Sequence, residues 1–216
     1  MLNDLRKYDC LGTPNYFFEL LNNIKNNSSG NWSLPDLQNI FYNKIIDNRP
    51  IIDGGIDLAI KLNILEQIGT TINISSDFAK NLENVPQMID EFNHSLFNSL
   101  KEDKTFLQIF SSENLSFDII YHSLQLNNKA FGFKYSNFKQ LLLDFKVISK
   151  HPNQQFNDYI LNEQYKKLFD KAILPHIKKR NIGIEEFKKS MELKQKYGEE
   201  AEKFVLKFET VRLDNK

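Results

Sequence analysis

The sequence predicts a mainly α-helical protein with small β-hairpins, and three observations carry that prediction. Apolar residues recur at helical spacing along most of the chain. Two stretches interrupt that pattern with short β-branched runs on either side of a polar turn. One phrase occurs twice: apolar helix, short strand, hairpin, polar cap, aromatic. It runs from Leu58, Leu62, Ile64 and Leu65 to Ser75 and Phe78, and again from Leu142, Phe145, Val147 and Ile148 to Asn162 and Tyr165. Two copies are too few for a solenoid. Two tandem winged-helix modules and a charged C-terminal helix are the economical architecture. The first module spans 1–84 with its N-terminal helix, the second 85–175, and a basic linker with the last helix 176–216.

Taken in order, Thr13 and Pro14 are a cap and a first helical residue, and Tyr16, Phe17, Leu20, Leu21 and Ile24 follow at helical spacing. Residues 26–31, NNSSGN, are a loop by composition. Ser33 opens the next helix with Asp36 as its box-like partner, and Leu37, Ile40, Phe41 and Ile45 form its expected buried stripe. Asn48, Arg49 and Pro50 are expected to end it. A third helix is expected over 51–65, then a hairpin over 68–74 around Gly69, then a short segment with Phe78 and Leu82. Val85 and Pro86 begin a longer helix with Met88, Ile89, Phe92, Leu96 and Phe97 inward, and 106–110 and 117–126 are expected to be further helical pieces. In the second module a helix carries Phe138, Leu141, Leu142 and Phe145. Strands over 147–149 and 156–161 then enclose the polar tip from Lys150 to Gln155.

Composition narrows the classes. The chain has 216 residues, 41% hydrophobic and 26% charged, with 18 Phe and 8 Tyr, so it can build real cores. One cysteine, Cys10, excludes an internal disulfide and a multi-cysteine zinc site. The first residues are charged, no apolar run approaches a membrane span, and a reducing cytoplasm is the expected location. Net charge is zero but uneven. Residues 1–130 hold 10 Lys/Arg against 16 Asp/Glu, whereas 131–196 hold 14 against 7. Such asymmetry marks either a nucleic-acid-facing half or solvated helix faces.

Catalytic and metal-binding patterns are weak. His94, His122, His151 and His176 have no ligand spacing. His94 and His122 are expected within helices, and His151 in the wing. Asp53, Gly54 and Gly55 lack a Walker lysine and are better explained by glycines that permit close packing. Glu185–Glu186 and Glu199–Glu200 are neighbours that do not face each other on a helix. No cofactor or metal is expected. The second module offers more: Lys134, Tyr135, Ser136, Asn137, Lys139 and Gln140 crowd the start of its helix. Lysines engage phosphates, while Asn and Gln can pair with adenine edges in the major groove. Lys150, His151, Gln154 and Gln155 at the wing tip are placed for a neighbouring groove or phosphate. A polar face used for protein contacts would look the same.

The helix from Ile184 has a thin seam of Ile184, Phe187 and Met191, with Gln195 next on that stripe, so it projects or needs a partner. Within it Gly198, Glu199, Glu202, Val205, Glu209, Arg212 and Leu213 follow the pattern G-E-x-x-E-x-x-V-x-x-x-E-x-x-R-L. This string resembles the opening helix of the NO VEIN C-terminal-type domain of restriction and phage-defence proteins, a restriction-endonuclease-like fold. The resemblance covers about sixteen residues. A nuclease of that class needs later acidic and Glu-x-Lys strands to hold a divalent metal, and this sequence contains neither. It therefore implies a non-catalytic DNA-binding or DNA-sensing part of a prokaryotic defence system, joined to a protein effector subunit or domain. The alternatives are a protein–protein scaffold without nucleic acid, and the N-terminal part of a longer nuclease. A homodimer through the last helix is compatible with each.

Overall fold

The computed structural model describes residues 1–26, 32–42, 44–50, 54–79, 83–118, 120–178 and 184–214. It is mainly helical with small antiparallel sheets. Asp53, Leu82 and the break at 181–183 lie outside the described residues, as do the side chains of Ile184, Phe187, Met191 and Gln195.

A single turn, α1 (Leu2–Leu5), precedes α2 (Pro14–Lys25). The Thr13 hydroxyl accepts the Tyr16 N–H at 3.2 Å, and Pro14 takes the first position, where no N–H is required. After β1 (Trp32–Ser33), α3 (Leu34–Tyr42) starts with a reciprocal box. Ser33 Oγ accepts the Asp36 N–H at 3.3 Å, and the Asp36 carboxylate accepts the Ser33 N–H at 3.4 Å.

The expected stripe on α3 is only half correct. Leu37 and Phe41 are buried, but Ile40 and Ile45 are exposed. The helix stops at Tyr42, before Ile45 can join its face. The chain instead forms a tight hairpin of β2 (Ile45–Ile46) and β3 (Arg49–Pro50). Asp47 and Asn48 bridge it at φ 53° and 59°, the paired positive values of a two-residue turn whose twist matches its strands.

The third helix, α4 (Gly54–Lys61), is shorter than 51–65 because the hairpin of β4 (Leu65–Ile68) and β5 (Thr71–Ile74) begins earlier than expected. Gly54 and Gly55 serve packing. A side chain on Gly54 would run into the Cys10 carbonyl, and one on Gly55 into the Tyr16 ring. α5 (Ser76–Ala79) closes this half.

The second half opens with α6 (Val85–Leu100), capped by Asn84, and α7 (Lys104–Ile109), capped by Asp103. Residues 117–118 and 120–126 are not helical. They belong to the hairpin of β6 (Leu115–Asp118) and β7 (Ser123–Leu126). Asp118 accepts the Tyr121 N–H at 2.8 Å and His122 takes φ 49°, so a local turn wins over helix. His122 therefore sits in a turn, whereas His94 lies on α6 as expected, on its exposed side.

Two 3-10 turns lead into α8 (Ser136–Asp144), followed by β8 (Ile148–Lys150) and β9 (Tyr159–Leu161). α9 (Lys166–Lys178) packs back on α6, and α10 (Ile184–Asp214) ends the described chain.

One sheet has the order β1-β5-β4 and another β6-β7-β9-β8. In each, a strand made before the last helix pairs with the final strand of the following hairpin. The core is continuous between the halves. Phe17 of α2 lies 4.8 Å from Phe92 of α6, and Phe92 stacks on Phe145 at 3.9 Å between ring centres. The Asn93 amide, buried beside them, donates to the Phe145 carbonyl at 3.0 Å.

Candidate nucleic-acid interface

The N-terminal segment and the start of α8 are joined by one side chain. Asn137 is buried, and its amide donates to the Leu5 carbonyl at 3.0 Å and the Tyr8 carbonyl at 2.6 Å. Nearby, the Tyr135 hydroxyl donates to Asn3 Oδ1 at 2.7 Å. These contacts bring Arg6 and Lys7 beside Lys134, although more than a hundred residues separate them in sequence. The three cations, with Tyr8, Phe133 and Ser136, line an open cleft of about 450 Å³.

Arg6, Lys7, Lys134 and Ser136 are exposed, and Phe133 is 94% exposed. Gly132, at φ 55°, turns the chain so that Phe131 enters the core while Phe133 faces solvent. Lys7 Nζ stands 4.8 Å from the centre of the Tyr8 ring, and its interaction with Tyr8 raises its pKa, so it remains charged at neutral pH. Asp9 is the acidic exception in the cleft.

Farther along α8 the surface is already occupied. Lys139 is half-buried, 3.5 Å from Asn128 Oδ1 and 5.8 Å from the Tyr159 ring centre. Gln140 donates to Asp144 at 2.9 Å, and Asp144 is ion-paired with Arg49 from the first half. Within α8 the exposed residue is therefore Ser136, at its start.

In the β8–β9 hairpin, Lys150, Gln154 and Gln155 are exposed. His151 is not: its side chain is 1% exposed, with Nε2 2.9 Å from Asp118 Oδ2 and Nδ1 accepting the Asn153 N–H at 3.1 Å. The rings of Tyr121 and Phe156 pack on it at 5.2 and 4.8 Å. Burial pushes the Asp118 carboxyl upward, but His151 and the Tyr121 N–H outweigh it and hold the group below the usual carboxylate range.

Of the ten residues expected to face DNA, the structure thus leaves Lys134, Ser136, Lys150, Gln154 and Gln155 open to a partner. Lys139 and Gln140 are half-engaged, and Tyr135 is tied to Asn3. Asn137 and His151 are buried, and their polar groups are engaged within the fold. Arg6, Lys7 and Phe133 are the additions. Only the Arg6–Lys7 pair and the Gly132–Phe133 step hinted at them locally, and their meeting depends on long-range packing.

Among the described residues no group of three or more His, Cys, Asp or Glu side chains is arranged to hold a metal ion. None of their helices is long and apolar enough to cross a membrane. Comparison with protein-family models, curated proteins and solved structures finds no match to this chain.

Proposed function

We propose that this chain binds duplex DNA without catalysing a reaction on it, through the second of two winged-helix modules. The observation that carries the reading is the clustering of Arg6, Lys7 and Lys134 around the first turn of α8, beside an outward-facing Phe133.

Sheet order supports the winged-helix assignment. β1-β5-β4 and β7-β9-β8 share one pattern, in which the strand before the last helix pairs with the final strand and the hairpin supplies the wing. In the second module α8 holds the recognition position and 151–158 the wing. Because Arg49 and Asp144 close the far end of α8, its contacts fall mainly on phosphates near the first turn, with Lys150 and Gln154 as wing contacts. Sequence preference is accordingly modest. The likeness of 198–213 to a defence-protein helix supports the narrower role of a DNA-sensing part of a restriction or phage-defence system, acting with an effector subunit or domain.

The test is fluorescence anisotropy of the whole chain with a labelled random-sequence duplex over a salt series. Affinity falling steeply with salt is expected, because each phosphate contact releases counterions. Absence of binding at low salt would favour the protein–protein scaffold instead.

A further inference from the structure

The last helix carries an apolar stripe that the other described residues leave uncovered. Leu193, Tyr197, Phe204 and Phe208 are all more than half exposed, Phe204 at 71%, and Ala201 between them is exposed as well. At about 100° per residue these five positions fall within roughly 80° of the helix circumference. That is a narrow seam of the kind two helices share.

We propose that this seam pairs with the same seam of a second copy, antiparallel, about a two-fold axis between Glu202 and Lys203. Antiparallel helices place position i opposite a position j such that i and j add to a constant. Centred here, Ala201 meets the partner copy's Phe204 position and Tyr197 meets its Phe208 position, and symmetry repeats both layers. Small faces large at the centre, and ring faces ring on either side. Flanking positions meet diagonally, two off that constant: on one flank Glu200 lies diagonally across from Lys207 of the other copy, again twice. On the other flank Gly198 lies diagonally across from Val205, which allows close approach.

The parallel alternative fits worse. It stacks Phe204 on Phe204 and Ala201 on Ala201, and sets Lys207 against Arg212. In the antiparallel arrangement Arg212 keeps its 2.8 Å ion pair with Glu209 of its own copy. Tyr197, Phe204 and Phe208 from two copies would remove on the order of 600–1,000 Å² of aromatic surface from water. Leu193, Ala201 and the lysine stems bring the total toward the size of a standard stable interface. A two-fold dimer of this kind would present two copies of the α8 cleft, although the pairing does not depend on what that cleft binds.

Sedimentation equilibrium of the full chain tests the proposal directly. A dimer is expected, reduced to monomer by Phe204→Asp with Phe208→Asp while circular dichroism keeps its helical signal. Glu200→Lys alone and Lys207→Glu alone should each weaken the dimer at least tenfold at low salt, and the two together should restore it. Lys207→Glu strengthening the dimer would instead mark the parallel arrangement and overturn the proposal. So would a wild-type chain that is monomeric at all concentrations, or a dimer that survives the aspartate substitutions.

Discussion

Asn137 and Phe133 stand on successive turns of one stretch and have opposite fates. The Asn137 amide is consumed by two backbone carbonyls; Asn137→Ala removes both bonds, the Leu5 carbonyl keeping the Tyr8 N–H at 3.1 Å while the Tyr8 carbonyl loses this donor, and should cost about 1–3 kcal/mol in chemical denaturation. Phe133→Ala removes almost no buried surface and should leave stability within about 0.5 kcal/mol. Acid sensitivity also lies at this scale. Asp118, beside His151, and Asp103, which caps α7 and accepts the Leu2 N–H at 3.1 Å, are both held below the usual carboxylate range despite burial. A depressed folded-state pKa contributes stability that is complete above the unfolded value. It is lost as pH falls through the folded value. Denaturation midpoints should therefore be flat near neutrality and drop below about pH 4, and Asp118→Asn should flatten that acid limb. At the other end, burial and then Asp90 push the Tyr165 phenol up to about 12. Its contribution is complete below the free tyrosine range and is lost as pH rises toward that value.

Elements with a local signature were legible before their packing was known. Thr13 and Pro14 announce α2, Ser33 and Asp36 announce α3, and the apolar spacing from Met88 to Phe97 announces α6. Thr13→Ala should cost about 1 kcal/mol in thermal or chemical unfolding, the usual loss for a cap. The β6–β7 hairpin was not legible as strand. Its four-residue strands are too short to establish alternation, and β7 is stabilised by β9, whose Ile160 pairs with Gln125 across thirty-odd residues. The β2–β3 hairpin was hidden because Ile45 continues the α3 apolar spacing, while the Asp47–Asn48 turn ends that helix early. In the candidate site, Lys134 could be read from the sequence as a cation ahead of a helix. Its partners Arg6 and Lys7 could not, because only tertiary hydrogen bonds through Asn137 place them there.

For the whole molecule, the Phe17–Phe92–Phe145 contacts join the two halves into one core. Phe92→Ala should destabilise by about 3–5 kcal/mol, and both halves should then melt in one cooperative transition rather than two, as differential scanning calorimetry would read. That shared core also gives the proposed interface its form, since the N-terminal cations belong to one half and the α8 face to the other. The most direct test is the salt dependence of duplex binding for the wild type beside Lys7→Glu with Lys134→Glu, both exposed substitutions expected to leave the fold intact. If these lysines contact phosphate, the variant should lose most of its affinity, and the slope of log affinity against log salt should shrink by about 2. An unchanged slope and affinity in the variant would contradict the account, because the DNA would then be held somewhere other than the first turn of α8.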